Sequence, residues 1–151
     1  MLRSSPRHHF GIRFALLARA WRQSLDAYLS QEGLTDATWV PLVHLQETGG
    51  GLSQKDLARL VGVEAPSLVR VIDILVREGL VERRIPPQDL RARLIYLTPA
   101  GEARVKAIRA TLYQHEAQLL AGLDDATLAQ MLGHFEQIKS ALEARGQEVV
   151  K

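Results

Sequence analysis

The chain contains no cysteine. Disulfides, thiolate metal sites, nucleophilic cysteine catalysis and thiol-based redox sensing are thereby excluded. It also lacks any apolar run near the roughly 18 residues of a membrane span, and its first residues carry no signal-peptide apolar core. A soluble, cytoplasmic protein that makes no membrane contact is the expectation. No repeat recurs at a fixed period and no segment is of low complexity. The signatures of enzyme chemistry are missing too: no Ser-His-Asp set, G-x-S-x-G, HExxH or Rossmann fingerprint is present. Gly49–Gly51 is not followed by the Lys-Ser/Thr of a phosphate-cradling loop and reads as a flexible connection. The five histidines (8, 9, 44, 115 and 134) show no i, i+4 pairing of the kind a zinc site uses. Neither an enzyme nor a cofactor or metal is expected.

What remains is a chain of 151 residues, 46% hydrophobic and 24% charged, enough for one domain with a real core or a small domain with dimerisation arms. The net charge of +2 says little, but its distribution says more. Arg83, Arg84, Arg91 and Arg93 face one acid, Asp89, within eleven residues. Before Gly33, five arginines stand with His8 and His9 against Asp26 and Glu32. Local basic patches of this kind bear on phosphate binding more than the total charge does.

The stretch Val63–Gly79 organises the rest. Pro66 suits a first helical turn and Gly79 the residue just past a helix end. Leu68, Ile72 and Leu75, widened by Val69 and Val76, form an inward stripe, while Ser67, Arg70, Ile74 and Arg77 recur on the other side. A small hydroxyl and an arginine near the helix start are where a helix in a major groove makes base contacts. Alone, the segment also fits an ordinary amphipathic helix. Before it, S-Q-K-D-L-A-R-L-V has Ser53 as N-cap, Asp56 in capping-box position and Gly62 as its end, so the pair reads as a helix-turn-helix. After it, L-V-E-R-R-I and R-L-I-Y-L are strand-like runs joined by P-P-Q-D-L-R-A, whose paired prolines cannot continue a ladder. The result is a hairpin with a basic tip, either a plain hairpin or the wing of a winged helix.

The flanks are helical. Phe14, Leu17, Trp21, Leu25 and Tyr28 recur at three and four within a helix from Phe10 to Leu29. Thr35 or Asp36 caps a second helix running to about Gln46, with Pro41 inside it, so that the cap is late or the helix bent. Thr98-Pro99 opens another helix running to Gly122, and Asp124 caps a last one with a stripe of Leu128, Leu132, Phe135, Ile138 and Leu142. The outer helices have wider apolar faces than residues 35–97 can cover, which points to packing against a second chain. A two-fold dimer then offers two recognition helices to a palindromic site with half-sites about one turn apart.

The order long helix, helix, helix-turn-helix, wing, two long helices resembles the MarR family of transcriptional regulators, and within it the SlyA-like branch. The residues that carry the resemblance are L-A-R-A-W-R, T-D-A-T-W-V, V-E-A-P-S-L-V-R and D-L-R-A-R-L-I-Y-L-T-P-A-G. It implies a mostly α fold with a small β-hairpin wing: an N-terminal arm and dimerisation helix over 1–32, a winged helix-turn-helix DNA-binding domain over 33–98, and C-terminal dimerisation helices over 99–151. It further implies a homodimer on double-stranded DNA with a palindromic operator, commonly a repressor, released by a small aromatic or phenolic carboxylate. The alternative within the same fold is an effector-independent DNA-binding or antisilencing protein. By position, Ser67, Arg70 and Val71 would face base edges, Ser53 and Gln54 would contact phosphate, Arg91 would enter the minor groove and Asp89 would orient it. Leu90 stands where the family commonly has Arg, and Arg93 is the substitute phosphate contact. An effector pocket would draw on Arg13, Trp39, Val43 and His44, with His8 reaching from a partner. Trp39 as core and His44 as a solvent-facing or hydrogen-bonded histidine is the competing reading. A winged helix used for protein contact or RNA is the remaining class, separated from the first by duplex against single-strand binding.

Overall fold

A computed structural model describes residues 4–149. The chain falls into two compact units that meet within one helix, one reaching to His115 and the other beginning at Glu116.

In the first unit, α1 (Pro6–Gln31) begins one turn earlier than its apolar repeat predicts. The reason is a local start signal: the Ser5 hydroxyl accepts the Arg7 N–H at 3.3 Å and Pro6 occupies the first turn. Gly33 ends it in the left-handed region (φ 78°). The Leu34 and Glu32 N–H groups both return to the Leu29 carbonyl and the Gly33 N–H to that of Ser30, which satisfies the acceptors of the last turn. Next, α2 (Asp36–Thr48) starts directly after Thr35 and runs through the buried Pro41, giving up one intrahelical bond rather than starting late.

A short strand, β1 (Leu52–Ser53), precedes α3 (Gln54–Val61) and α4 (Ala65–Arg77). The Ser53 hydroxyl accepts the Asp56 N–H at 3.1 Å, as the capping position predicts. The end of α4 is closed by Gly79 (φ 75°), whose N–H reaches the Val76 carbonyl while Leu80 N–H reaches Leu75. The hairpin follows as β2 (Val81–Arg84) and β3 (Leu94–Leu97). It is not alone: β1 pairs antiparallel with β3, Leu52 opposite Ile95, giving a three-stranded sheet in the order β1-β3-β2. Two residues carry no alternation pattern, so β1 was invisible to the period-two reading.

Helix α5 (Pro99–Leu119) is seated by its cap. Thr98 Oγ accepts the Gly101 N–H at 3.0 Å and donates to the Gly79 carbonyl at 2.6 Å. At Gly101 a Cβ would lie 1.9 Å from the Leu80 carbonyl oxygen, so no side chain fits where the start of α5 crosses the end of α4. The core of this unit is built from Leu25 and Leu29 of α1, Trp39, Val40, Leu42 and Leu45 of α2, Leu57 of α3, Leu68, Ile72 and Leu75 of α4, Val81 and Ile95 of the sheet, and Val105, Ile108 and Leu112 of α5. Burial of each of these large aliphatic side chains contributes about 1.5–3 kcal/mol. Val69 is half-buried, but Val76, expected on the inward stripe, is exposed; that stripe is narrower than its sequence pattern.

The second unit comprises the end of α5 and α6 (Asp125–Val149). Asp124 caps α6 by accepting the Thr127 N–H at 2.8 Å. Those Thr127 bonds hold its carboxyl below the usual carboxylate range. Leu132, Phe135, Ile138 and Leu142 all lie exposed along α6. No helix among the described residues is long and apolar enough to cross a membrane.

Candidate nucleic-acid interface

Helix α4 buries Leu68, Ile72 and Leu75 and leaves Ser67, Arg70, Ile74 and Arg77 outside, as its spacing predicts. Among the described residues, the guanidiniums of Arg70 and Arg77 make no ion pair or hydrogen bond. Val71, expected at the base edges, is instead half-buried and packs on the core. At 3.6 residues per turn it lies between Leu75 and Ser67, at the rim of the outer face rather than on it.

In front of α4, the Ser53 hydroxyl oxygen accepts the capping bond, so its O–H is what it has to offer a phosphate. Gln54 is the first residue of α3, and its Oε1 accepts from Arg83 Nε at 3.2 Å.

The four arginines of the wing are not alike. Arg83 also pairs with Asp73 of α4. Arg84 pairs with Glu82, and its guanidinium lies over the Tyr96 ring at 4.3 Å from the centroid. Arg93 Nη1 donates to the carbonyls of Leu90 (3.2 Å) and Ala92 (3.1 Å), which ties it to its own loop. The Arg91 guanidinium alone of the four has no partner among the described residues, and its side chain is exposed. Asp89 does orient Arg91, through the backbone: its carboxylate accepts the Arg91 N–H at 3.0 Å and shapes the turn. Leu90, beside it, is 75% exposed, an apolar side chain at the tip.

An exposed helix face with unpaired arginines, next to a hairpin with one more, is a surface whose charges the fold does not use. Arginine presents a planar fork to phosphate oxygens or to the two acceptors of guanine. A model of the MarR family matches residues 34–92. The transcriptional regulator PA3341, of known structure, is 37% identical, with 89% of this chain and 98% of that one covered and a TM-score of 0.78. A probable transcriptional regulator from Pseudomonas aeruginosa is 31% identical over 82% of this chain and 95% of that one, with a TM-score of 0.63. Wild-type MarR from E. coli, at 24% identity, shares the fold over 85% of this chain and 94% of that one, with a TM-score of 0.70. The chain belongs to the MarR family. Its relatives are transcriptional regulators, and a DNA-binding winged helix is the shared architecture.

The residues expected to hold an effector in this MarR-family chain are only partly brought together. Trp39 is buried, donating Nε1–H to Asp26 at 3.2 Å, and the Arg22 guanidinium lies 5.2 Å from its ring centroid. Val43 and His44 are half-buried on the same helix. Burial, and then the Arg22 charge, lower the His44 pKa below its ordinary value, against a smaller opposing effect of Glu47. Arg13 and His8 are exposed on the outer part of α1. Arg13 precedes Arg22 by nine residues, about 14 Å along the helix, so within one chain Arg22 and not Arg13 is the cation at Trp39. Its place on α1, a whole number of turns before Trp39's partner Asp26, was the signal available for it. Arg83 was counted in the sequence only as one charge of a basic patch, and no spacing rule reaches from a strand to Gln54 and Asp73.

Proposed function

We propose that this chain acts as a homodimeric repressor on a palindromic operator. In this reading α4 enters the major groove with Ser67 and Arg70 at base edges, and Val71 contributes an apolar edge. Arg91 enters the minor groove, where a narrow groove concentrates negative potential. Ser53, Gln54 and Arg93 contact phosphates. The working parts are the dimerisation segments 1–32 and 99–151 and the DNA-binding segment 33–98, in a cytoplasmic protein of the SlyA-like branch. The observation that carries the reading is the set of unpaired arginines on the α4 face and at the wing tip. The exposed apolar residues Ile12, Leu16 and Leu17 of α1 and Leu132 and Leu142 of α6 support the dimer.

The test is fluorescence anisotropy with duplex and single-stranded probes across a salt series. Arg70→Ala is expected to weaken the preferred duplex by about 1–3 kcal/mol and mixed-sequence duplex far less. Arg91→Ala is expected to weaken all duplexes and to flatten the salt dependence by about two ions, one for each protomer of the dimer. Equal affinity for single strands overturns the groove reading, and unchanged affinity of either variant removes that residue from it.

The effector in this proposal is a small aromatic carboxylate set against Trp39, Val43 and His44. Its carboxylate is received by Arg13 and His8 of the partner subunit, because Arg22 beside Trp39 is already paired with Asp26 at 3.3 Å. An effector-independent regulator is the second reading, favoured by Trp39 being buried with its N–H already bonded to Asp26. Thermal shifts with benzoate, salicylate and hydroxynicotinate decide between them: stabilisation supports the effector, and none at millimolar ligand supports the second reading.

A further inference from the structure

Arg83 lies on β2 at the base of the wing, opposite Ile95 of β3. Its guanidinium leaves the strand and holds two other elements at once: Nε donates to Oε1 of Gln54, the first residue of α3, and Nη2 donates to Oδ1 of Asp73 on α4. Its side chain is 27% exposed. One side chain thus joins the three elements that the proposed DNA reading sets against the duplex. With Oε1 taken, Gln54 has its amide N–H2 to present, the donor end that a phosphate requires.

Asp73 makes the arrangement informative. Its side chain is half exposed, on the same helix as Arg70 and Arg77, where phosphates are to approach. A carboxylate there repels the ligand, so on charge alone it should be absent. Its retention makes sense if its work is to fix the fork of Arg83, which a single long side chain in water would not hold by itself.

We infer that Arg83 is a positioning residue for DNA binding, which through Asp73 and Gln54 sets the wing and the start of α3 relative to the recognition helix. This rests on the DNA reading above, and the two can fail separately. The sign of one substitution distinguishes positioning from charge. Asp73→Asn removes a negative charge beside the duplex and, if charge governs, tightens binding. If Asp73 positions Arg83, the same change weakens binding.

The experiment uses the full chain and a mixed-sequence duplex of about 30 base pairs, long enough for two half-sites. Anisotropy is measured over a salt series, at a temperature where circular dichroism shows every variant folded. Asp73→Asn and Arg83→Gln are each expected to weaken binding about threefold to tenfold, with the double variant no weaker than Arg83→Gln. Arg83→Gln is expected to keep the wild-type slope of log affinity against log salt, because Arg83 makes no phosphate contact of its own. Arg83→Lys, which keeps the charge and loses the fork, is expected to fail to restore affinity. Tighter or unchanged binding by Asp73→Asn, additive effects in the double variant, or a slope reduced by about two, one for each protomer, in Arg83→Gln overturns the inference. Failure of the wild type to bind duplex overturns the DNA reading instead.

Discussion

Helices α4 and α6 carry similar apolar stripes and use them in opposite ways. In α4, Leu68, Ile72 and Leu75 are all buried, and beyond its first two residues the exposed side chains are polar or charged apart from Ile74 and Val76. In α6, Leu132, Phe135, Ile138 and Leu142 are all exposed. The first stripe is satisfied by its own chain through α2, α3 and β2, so α4's other face is available for a ligand. The second stripe leaves four large apolar side chains in water, the kind of face that marks an interaction site. The same periodicity therefore marks a folding face in one helix and, in the proposed dimer, an assembly face in the other.

The largest effect that would break this contrast is truncation in the α4 stripe. Ile72→Ala, at a fully buried position, should lower the unfolding free energy by about 2–5 kcal/mol in urea denaturation. A loss as small as that of a surface site would show that the stripe is not the core. Gly101→Ala comes next, since the Leu80 carbonyl leaves no space for a methyl group. Backbone must move, with an expected cost of about 1–3 kcal/mol in the same measurement and a weakened duplex affinity from a displaced α4. Leu132→Ala, at 62% exposure, should leave the unfolding free energy at high protein dilution almost unchanged. It should instead raise the dimer dissociation constant by about tenfold in sedimentation equilibrium, the effect of one good interface side chain. Equal dissociation for variant and wild type would take Leu132 out of the assembly face.

The smallest effect is in pH. Burial, then the Arg22 charge, hold the His44 pKa below its ordinary 6.5. Protonation therefore costs more in the folded than in the unfolded chain, and the unfolded chain binds more protons below that value. Stability should be full above about pH 6.5, fall as the pH drops below it, and level off once the folded-state pKa is passed. His44→Gln should flatten this slope between pH 7 and 5, and an NMR titration should find the His44 ring titrating below 6.5. A ring that titrates at or above its ordinary value would overturn the assignment.

The contrast was half legible in the sequence. Stripes, caps and turn glycines are local, and Ser53, Thr98, Asp124, Gly62 and Gly79 all perform the local roles their types predict. The wing strands were legible from their β-rich runs, and the loop that carries Arg91 from prolines that cannot pair. What sequence spacing did not reveal are interactions between elements. Strand β1 is too short for a pattern, the half-burial of Val71 depends on how far the core wraps α4, Arg83 draws its partners from other elements, and Arg22 meets the Trp39 ring of α2. A basic run in a sequence counts charges equally, whereas the fold neutralises Arg83 and Arg84, ties down Arg93 and leaves Arg91.

The crossing at Gly101 has one more consequence. With the Thr98 hydroxyl on the Gly79 carbonyl and Leu80 filling the space a side chain would need, the end of α4 and the start of α5 share a joint without play. Such a joint transmits rotation instead of absorbing it. In the dimer proposed above, the distance between the two α4 helices would therefore not be set at this point but farther along α5 or where the two chains meet.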